Sequence, residues 1–145
     1  MQVDLAVVGT GLAGLALARA ARGLSVALIG DAPAPMPSGA AFESRVYALT
    51  PGNVDFLERL GAWRRMPRAR VAPVYAMRVF GDDGRAELAF DAYRAGVPAL
   101  AWIAEDGALQ AALYETLAHD ADLQRLVPER LSGLWLEADA ARLAL

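Results

Sequence analysis

Apolar and polar positions change their period several times along the chain, and the changes mark its elements. Residues 3 to 8 form a short, nearly continuous apolar run ended by glycine, the pattern of a buried strand. Residues 12 to 22 are rich in Ala and Leu and predict a helix, with Gly23 in the place favoured for a C-cap. Ser25 to Ile29 is a second β-rich run. These three segments make a strand–helix–strand unit whose strands are expected to be parallel, joined by a right-handed crossover. From 30 to 44 the periodicity disappears. Pro33, Pro35 and Pro37 with two glycines predict a long loop, because proline at that density cannot sit in a central strand.

Helical spacing returns at Thr50-Pro51, with Thr50 as N-cap and Pro51 at the first helical position. Val54, Leu57 and Leu60 share one face, and Gly61 ends the helix. Tyr75 to Phe80 and Ala86 to Phe90 alternate and flank Gly81-Asp82-Asp83-Gly84, which predicts a β-hairpin. Ala86, Leu88 and Phe90 fall on one face of it, Arg85 and Glu87 on the other. Pro98 to Ile103 reads as a further short strand. Residues 107 to 119 make an amphipathic helix with Leu109, Ala112, Leu113 and Leu117 at helical spacing. Arg130–Glu137 and Arg142–Leu145 read as strands. The last run stops at Leu145 with a sheet edge unfinished, so a piece of a longer polypeptide is expected.

The junction of the first strand and helix carries the chemistry. Gly9-Thr10-Gly11-Leu12-Ala13-Gly14 is a G-x-G-x-x-G placed between a strand and a helix, which is the context the motif requires. Gly9 permits the turn, Gly11 leaves room for phosphate against the backbone, and Gly14 lets the helix approach the strand. The helix start offers unpaired N–H groups and the positive end of its dipole to a diphosphate.

Composition narrows the alternatives. The 145 residues are 56% hydrophobic, enough for a packed core, and the net charge of −3 offers no basic face for nucleic acid. The absence of cysteine excludes disulfides and thiolate metal sites. A single histidine, His119, makes no metal pair. Trp63, Trp102 and Trp135 read as core or interface aromatics. There is no basic leader with a cleavage site and no apolar run of membrane-spanning length, which points to the cytoplasm. Arg64, Arg65, Arg68 and Arg70 form a short basic cluster that reads as solvated. A contact with anionic lipid there would place the protein at the periphery of the inner membrane.

Several segments together carry a family likeness. They are GTGLAG, Ser44-Arg45-Val46-Tyr47-Ala48-Leu49, the helix end Leu60-Gly61-Ala62-Trp63, Met77-Arg78-Val79-Phe80, and Ile103-Ala104-Glu105-Asp106-Gly107-Ala108-Leu109-Gln110-Ala111-Ala112-Leu113. In this order the chain resembles the amino-terminal part of FAD-dependent aromatic hydroxylases, and within them the ubiquinone-biosynthesis hydroxylases. The resemblance implies an α/β fold: a Rossmann-like βαβ FAD-binding domain with a parallel sheet and a β-hairpin insertion, present here incompletely. Residues 1–145 would be the amino-terminal part of that domain, with 72–103 contributing to a substrate-side β-sheet. It further implies a flavin monooxygenase that uses NAD(P)H and O2 to hydroxylate a polyprenyl phenol or quinol precursor, the cofactor carrying the hard step. A biosynthetic complex or a membrane surface would then be its partner.

The same resemblance assigns site residues. Gly9, Thr10, Gly11, Leu12, Ala13 and Gly14 would hold the FAD diphosphate. Arg45 falls where the family places a cofactor-contacting arginine; its alternative is a solvated charge or a structural ion pair. Gln110 lies on a helix that approaches the FAD in related hydroxylases, or is plain surface. Two positions depart from the pattern. The ribose carboxylate expected at the end of the second strand is replaced by Gly30, and Asp31, one residue on, either takes that role or caps a turn. A basic residue common at position 107 is replaced by Gly107, so other groups compensate or cofactor affinity is lower. No residue in the chain reads as catalytic. Two other functions compete with this one: an NAD-dependent Rossmann oxidoreductase, and a non-catalytic scaffold that has lost strong FAD binding.

Overall fold

The four residues Leu5–Val8 (β1) lead through the glycine turn into helix Leu12–Ala20 (α1), and the chain returns as Val26–Ile29 (β2). β1 and β2 pair in parallel, Leu5 opposite Val26 through Val8 opposite Ile29. All four residues of β2 are buried, as expected for a strand with neighbours on both edges. The computed structural model describes residues 1–39 and 41–145. α1 stops two residues short of its expected end: Ala21 is the C-cap, and Gly23 takes its left-handed φ of 90° in the following turn.

The loop predicted from 30 to 44 carries no helix or strand among its described residues. Val46–Leu49 (β3) and helix Pro51–Leu60 (α2) follow, α2 with Thr50 as N-cap and Gly61 as C-cap. Two short 3-10 turns lead to Val71–Val74 (β4), then Ala76–Phe80 (β5) and Glu87–Asp91 (β6), a single helical turn Ala92–Ala95 (α3), and Ala101–Glu105 (β7). Asp106–Glu115 (α4) continues directly from β7. Leu123–Leu126 (β8), Gly133–Leu136 (β9) and Ala141–Ala144 (β10) close the chain.

The expectation of one parallel sheet needs correcting. Among the described residues, parallel pairing is confined to β1-β2-β8, while β3-β7-β4, the β5-β6 hairpin and the β9-β10 hairpin are antiparallel. The architecture is an α/β domain with mixed parallel and antiparallel sheets. The third parallel strand, β8, lies along β2 with Val26 opposite Leu123. The strand expected at 98–103 is displaced to 101–105, because Pro98 precedes the stretch that pairs with β3 and β4. The predicted hairpin at β5-β6 is present in register Ala76 to Asp91, with Met77, Val79, Leu88 and Phe90 all exposed.

The core lies between the parallel sheet and the helices. Leu15 and Ala18 of α1, Val54, Leu57 and Leu60 of α2, and Leu109 and Leu113 of α4 bury together with Val7, Val26 and Leu28. α1 packs on both α4 and α2. Trp63, just after α2, meets Trp102 of β7 edge to face, with centroids 6.3 Å apart, which ties the antiparallel sheet to the helical layer. Trp135 is half exposed. On α1, the Arg19 guanidinium is held well inside the surface. Its Nε donates to the Leu60 carbonyl at 3.3 Å and its Nη1 lies 3.7 Å from Asp120. Desolvation, with Arg22 nearby, pushes its pKa below the usual arginine value. Among the described residues, no helix is long and apolar enough to cross a membrane.

Candidate functional site

The glycine turn is built by backbone geometry. Gly9 has φ of 113°, a region closed to most side chains, and its N–H donates to the Ile29 carbonyl at 2.8 Å, fixing the turn against the end of β2. Gly11 is the N-cap of α1 in extended conformation, with no side-chain cap and no acidic residue in the first turn. The first N–H groups of α1 therefore have no side-chain acceptor. A Cβ on Gly11 would meet nothing within 4 Å, so the space in front of the helix is open. Gly14 is the opposite case. A Cβ there would run into the Gly9 carbonyl and lie 3.4 Å from Val7 Cγ1, so its absence is what lets α1 sit on β1. Leu12 and Ala13 form the first helical positions between them.

Thr10 and Asp31 come together at the carboxyl ends of β1 and β2. Thr10 Oγ1 donates to the Asp31 carbonyl at 2.6 Å. Both line a cavity of about 320 Å³ with Gly9, Gly30 and Arg130. The Asp31 carboxylate is exposed and stands 3.5 Å from Arg130 Nη2. Gly30, where a carboxylate was expected, has φ of 156°, and a Cβ there would lie 2.9 Å from Thr10 Cγ2. An acidic side chain at 30 cannot be added without moving Thr10 or the backbone. Asp31, the next residue, carries an exposed carboxylate at this turn.

Arg45 and Gln110 meet at a second cavity, of about 430 Å³, with Glu43, Asp106 and Gly107. Asp106 opens α4 and organises the group. Its N–H donates to the Arg45 carbonyl at 3.0 Å, and its carboxylate accepts from Gln110 Nε2 at 3.0 Å on each oxygen. Arg45 Nε lies 3.6 Å from Asp106 Oδ2, with the arginine side chain 73% exposed and its guanidinium 5.7 Å from the centre of the Tyr47 ring. Glu43 Oε2 accepts the Gly107 N–H at 2.7 Å. α1, which starts at the glycine turn, packs on α4, which starts at the Asp106 cavity.

The approach to Arg45 is anchored from below. Arg70 was expected to be a solvated member of a basic cluster, but it is buried and pairs with buried Glu105 at 2.8 Å. It also donates to the carbonyls of Ala41, at 2.8 Å, and Gly39, and stacks over Phe42. One guanidinium thus fixes the end of the proline-rich loop just before Glu43 and Arg45. Burial of a charge needs this many partners. Arg70, Glu105, Glu43 and Arg130 carried no signal of their role in the sequence, since the Arg70–Glu105, Glu43–Gly107 and Arg130–Asp31 pairs span 35, 64 and 99 positions. The Thr10–Asp31, Arg45–Asp106 and Asp106–Gln110 links join residues already marked by the family likeness.

The residues at α1 fit a diphosphate: uncapped N–H groups, open space at Gly11, and a neighbouring carboxylate at Asp31 suited to ribose hydroxyls. No family model matches the chain. It is 30% identical over 145 residues to 3-demethoxyubiquinol 3-hydroxylase of Escherichia coli (strain K12), covering 98% of this chain and 37% of that protein. It is 31% identical over 125 residues to ubiquinone biosynthesis monooxygenase COQ6, mitochondrial, of Caenorhabditis elegans, covering 79% of this chain and 27% of that one. Among solved structures it superposes on the flavin-dependent monooxygenase PieE, determined in complex with FAD and substrate, with a TM-score of 0.66 and 20% identity over 97% of this chain and 26% of that one. The chain spans about a third of the length of the curated relatives it matches. It has the fold of part of an FAD-dependent monooxygenase. By sequence it is similar to the ubiquinone hydroxylases named above over part of their length.

Proposed function

We propose that residues 1–145 are the amino-terminal, cofactor-binding part of an FAD-dependent monooxygenase that uses NAD(P)H and O2 to hydroxylate the aromatic ring of a ubiquinone precursor. The observation that carries this reading is the β1–α1 turn, where an uncapped helix start faces open space at Gly11. The curated relatives named above support the substrate class.

In this reading the N–H groups of Gly11 to Gly14 and the dipole of α1 hold the diphosphate. Asp31 accepts hydrogen bonds from the ribose hydroxyls, and Thr10 keeps its backbone in place through their 2.6 Å bond. Arg45 swings from Asp106 to a phosphate oxygen, a charge-assisted contact. Gln110 faces the cofactor from α4. The flavin, when bound, supplies oxygen activation and transfer to the ring. Residues 72–103 contribute to the substrate side, where the exposed apolar residues of β5-β6 suit a greasy molecule. The antiparallel strands after β2 favour this reading over an NAD-dependent oxidoreductase, whose fold would continue with further βα units.

The test is a titration of the full chain with FAD and, separately, with NADH, followed by flavin absorbance and fluorescence. Saturable FAD binding is expected. A protein that binds NADH and leaves FAD free overturns the reading.

A further inference from the structure

The Glu43 carboxylate sits at the opening of α4, accepting the Gly107 N–H at 2.7 Å across 64 residues of chain. It fills a role the helix leaves open, since Glu105 at the N-cap makes no side-chain cap hydrogen bond. It also takes up room. A Cβ on Gly107 would run into the Glu43 carboxylate, so a side chain at 107 has to displace that carboxylate from its hydrogen bond. Asp106, alongside, is matched by Arg45 and Gln110. Among the described residues Glu43 has no salt-bridge partner. The cavity thus holds two carboxylates and one arginine, and the unmatched charge is that of Glu43.

We propose that Glu43 sets the flavin affinity of this chain, acting as an internal anion that opposes the FAD diphosphate where Arg45 reaches it. The proposal rests on the flavin reading above. A diphosphate that recruits Arg45 removes the one cation beside Asp106. Glu43 then adds like-charge repulsion beside that diphosphate. Deleting the Glu43 side chain removes both its charge and its bond to the Gly107 N–H, beside the segment that Arg70 anchors at Gly39 and Ala41. Its charge and its hydrogen bond are separable, however. Glutamine at 43 keeps an acceptor for the Gly107 N–H and removes the charge.

The experiment is a fluorescence titration of the full chain and of Glu43→Gln with FAD and with riboflavin, which lacks the diphosphate. Glu43→Gln is expected to bind FAD roughly three- to tenfold more tightly at low ionic strength, the order expected for removing one half-exposed charge beside a dianion. The gain shrinks in about 0.5 M salt, where the screening length falls to a few ångströms, and riboflavin shows none. Wild-type binding of FAD with equal or weaker binding by Glu43→Gln overturns the proposal and leaves the flavin reading standing. Failure of both proteins to bind FAD overturns the flavin reading and the proposal with it. A thermal-melting cycle tests the coupling without flavin. Gly107→Ala should lower the melting temperature in the wild-type background and lower it less in a Glu43→Ala background. Additive losses overturn the coupling.

Discussion

Gly14→Ala separates two physical effects of opposite sign. In an ordinary helix the change stabilises by roughly 0.5–1 kcal/mol, because glycine loses more backbone entropy on folding. Here the new Cβ runs into the Gly9 carbonyl, and it lies 3.1 Å from the Gly9 carbonyl carbon and 3.4 Å from Val7 Cγ1. The first obstacle is backbone, held by the 2.8 Å bond from the Gly9 N–H to Ile29, so no side chain can rotate away. Relief requires α1 to move off β1, and overpacking of that kind costs about 1–3 kcal/mol. The cost outweighs the propensity gain, for a net loss of about 1–2 kcal/mol. For a chain of this size that is roughly 3–10 °C in melting temperature. Urea unfolding and a thermal melt of the full chain in the absence of flavin measure it directly. A variant as stable as the wild type, or more so, would refute the reasoning, because it would mean that α1 does not depend on this close approach.

Glu105→Gln leaves the Arg70 guanidinium buried without its counter-charge. The loop carbonyls still accept from it, so the expected loss is near the low end for a broken buried pair, about 3 kcal/mol in urea unfolding. Asp4 is held below its ordinary pKa of 3.8 by hydrogen bonds from the Ser25 side chain and N–H. Its contribution is therefore complete above about pH 4 and lost as pH falls through the lowered value. Ser25→Ala should reduce urea midpoints at neutral pH, with the wild type and the variant converging in acid; a difference that grows in acid would contradict the assignment.

The β1–α1–β2 unit was legible in the sequence because its signals are local: two short apolar runs, a glycine motif between them, and a helix one crossover long. α2 was equally legible, from Thr50-Pro51 at one end and Gly61 at the other. β8 was not, because Leu-Gln-Arg-Leu has polar residues at its centre and becomes a strand only through pairing with β2, almost a hundred residues earlier. Arg70 reads as a surface charge until Glu105 is placed beside it. Gly30 and Gly107 were read as losses relative to a family pattern. The structure gives each a local cause: the close approach of Thr10 and a positive φ at Gly30, and the Glu43 carboxylate at Gly107. Sequence alone named Asp31, Arg45 and Gln110 but not the parts of Glu43 and Asp106, whose contacts with Gly107 and Arg45 cross the fold.

The central claim is that the start of α1 receives the diphosphate of FAD, and Gly11→Val tests it most directly. Gly11 has ordinary extended dihedrals, and open space lies in front of its missing Cβ, so valine should leave the fold intact while filling the place of the phosphates. Titrated with FAD, the wild-type chain should bind flavin saturably, and Gly11→Val, melting within a few degrees of it, should show no binding. A folded Gly11→Val protein that binds FAD as well as the wild type would contradict the account.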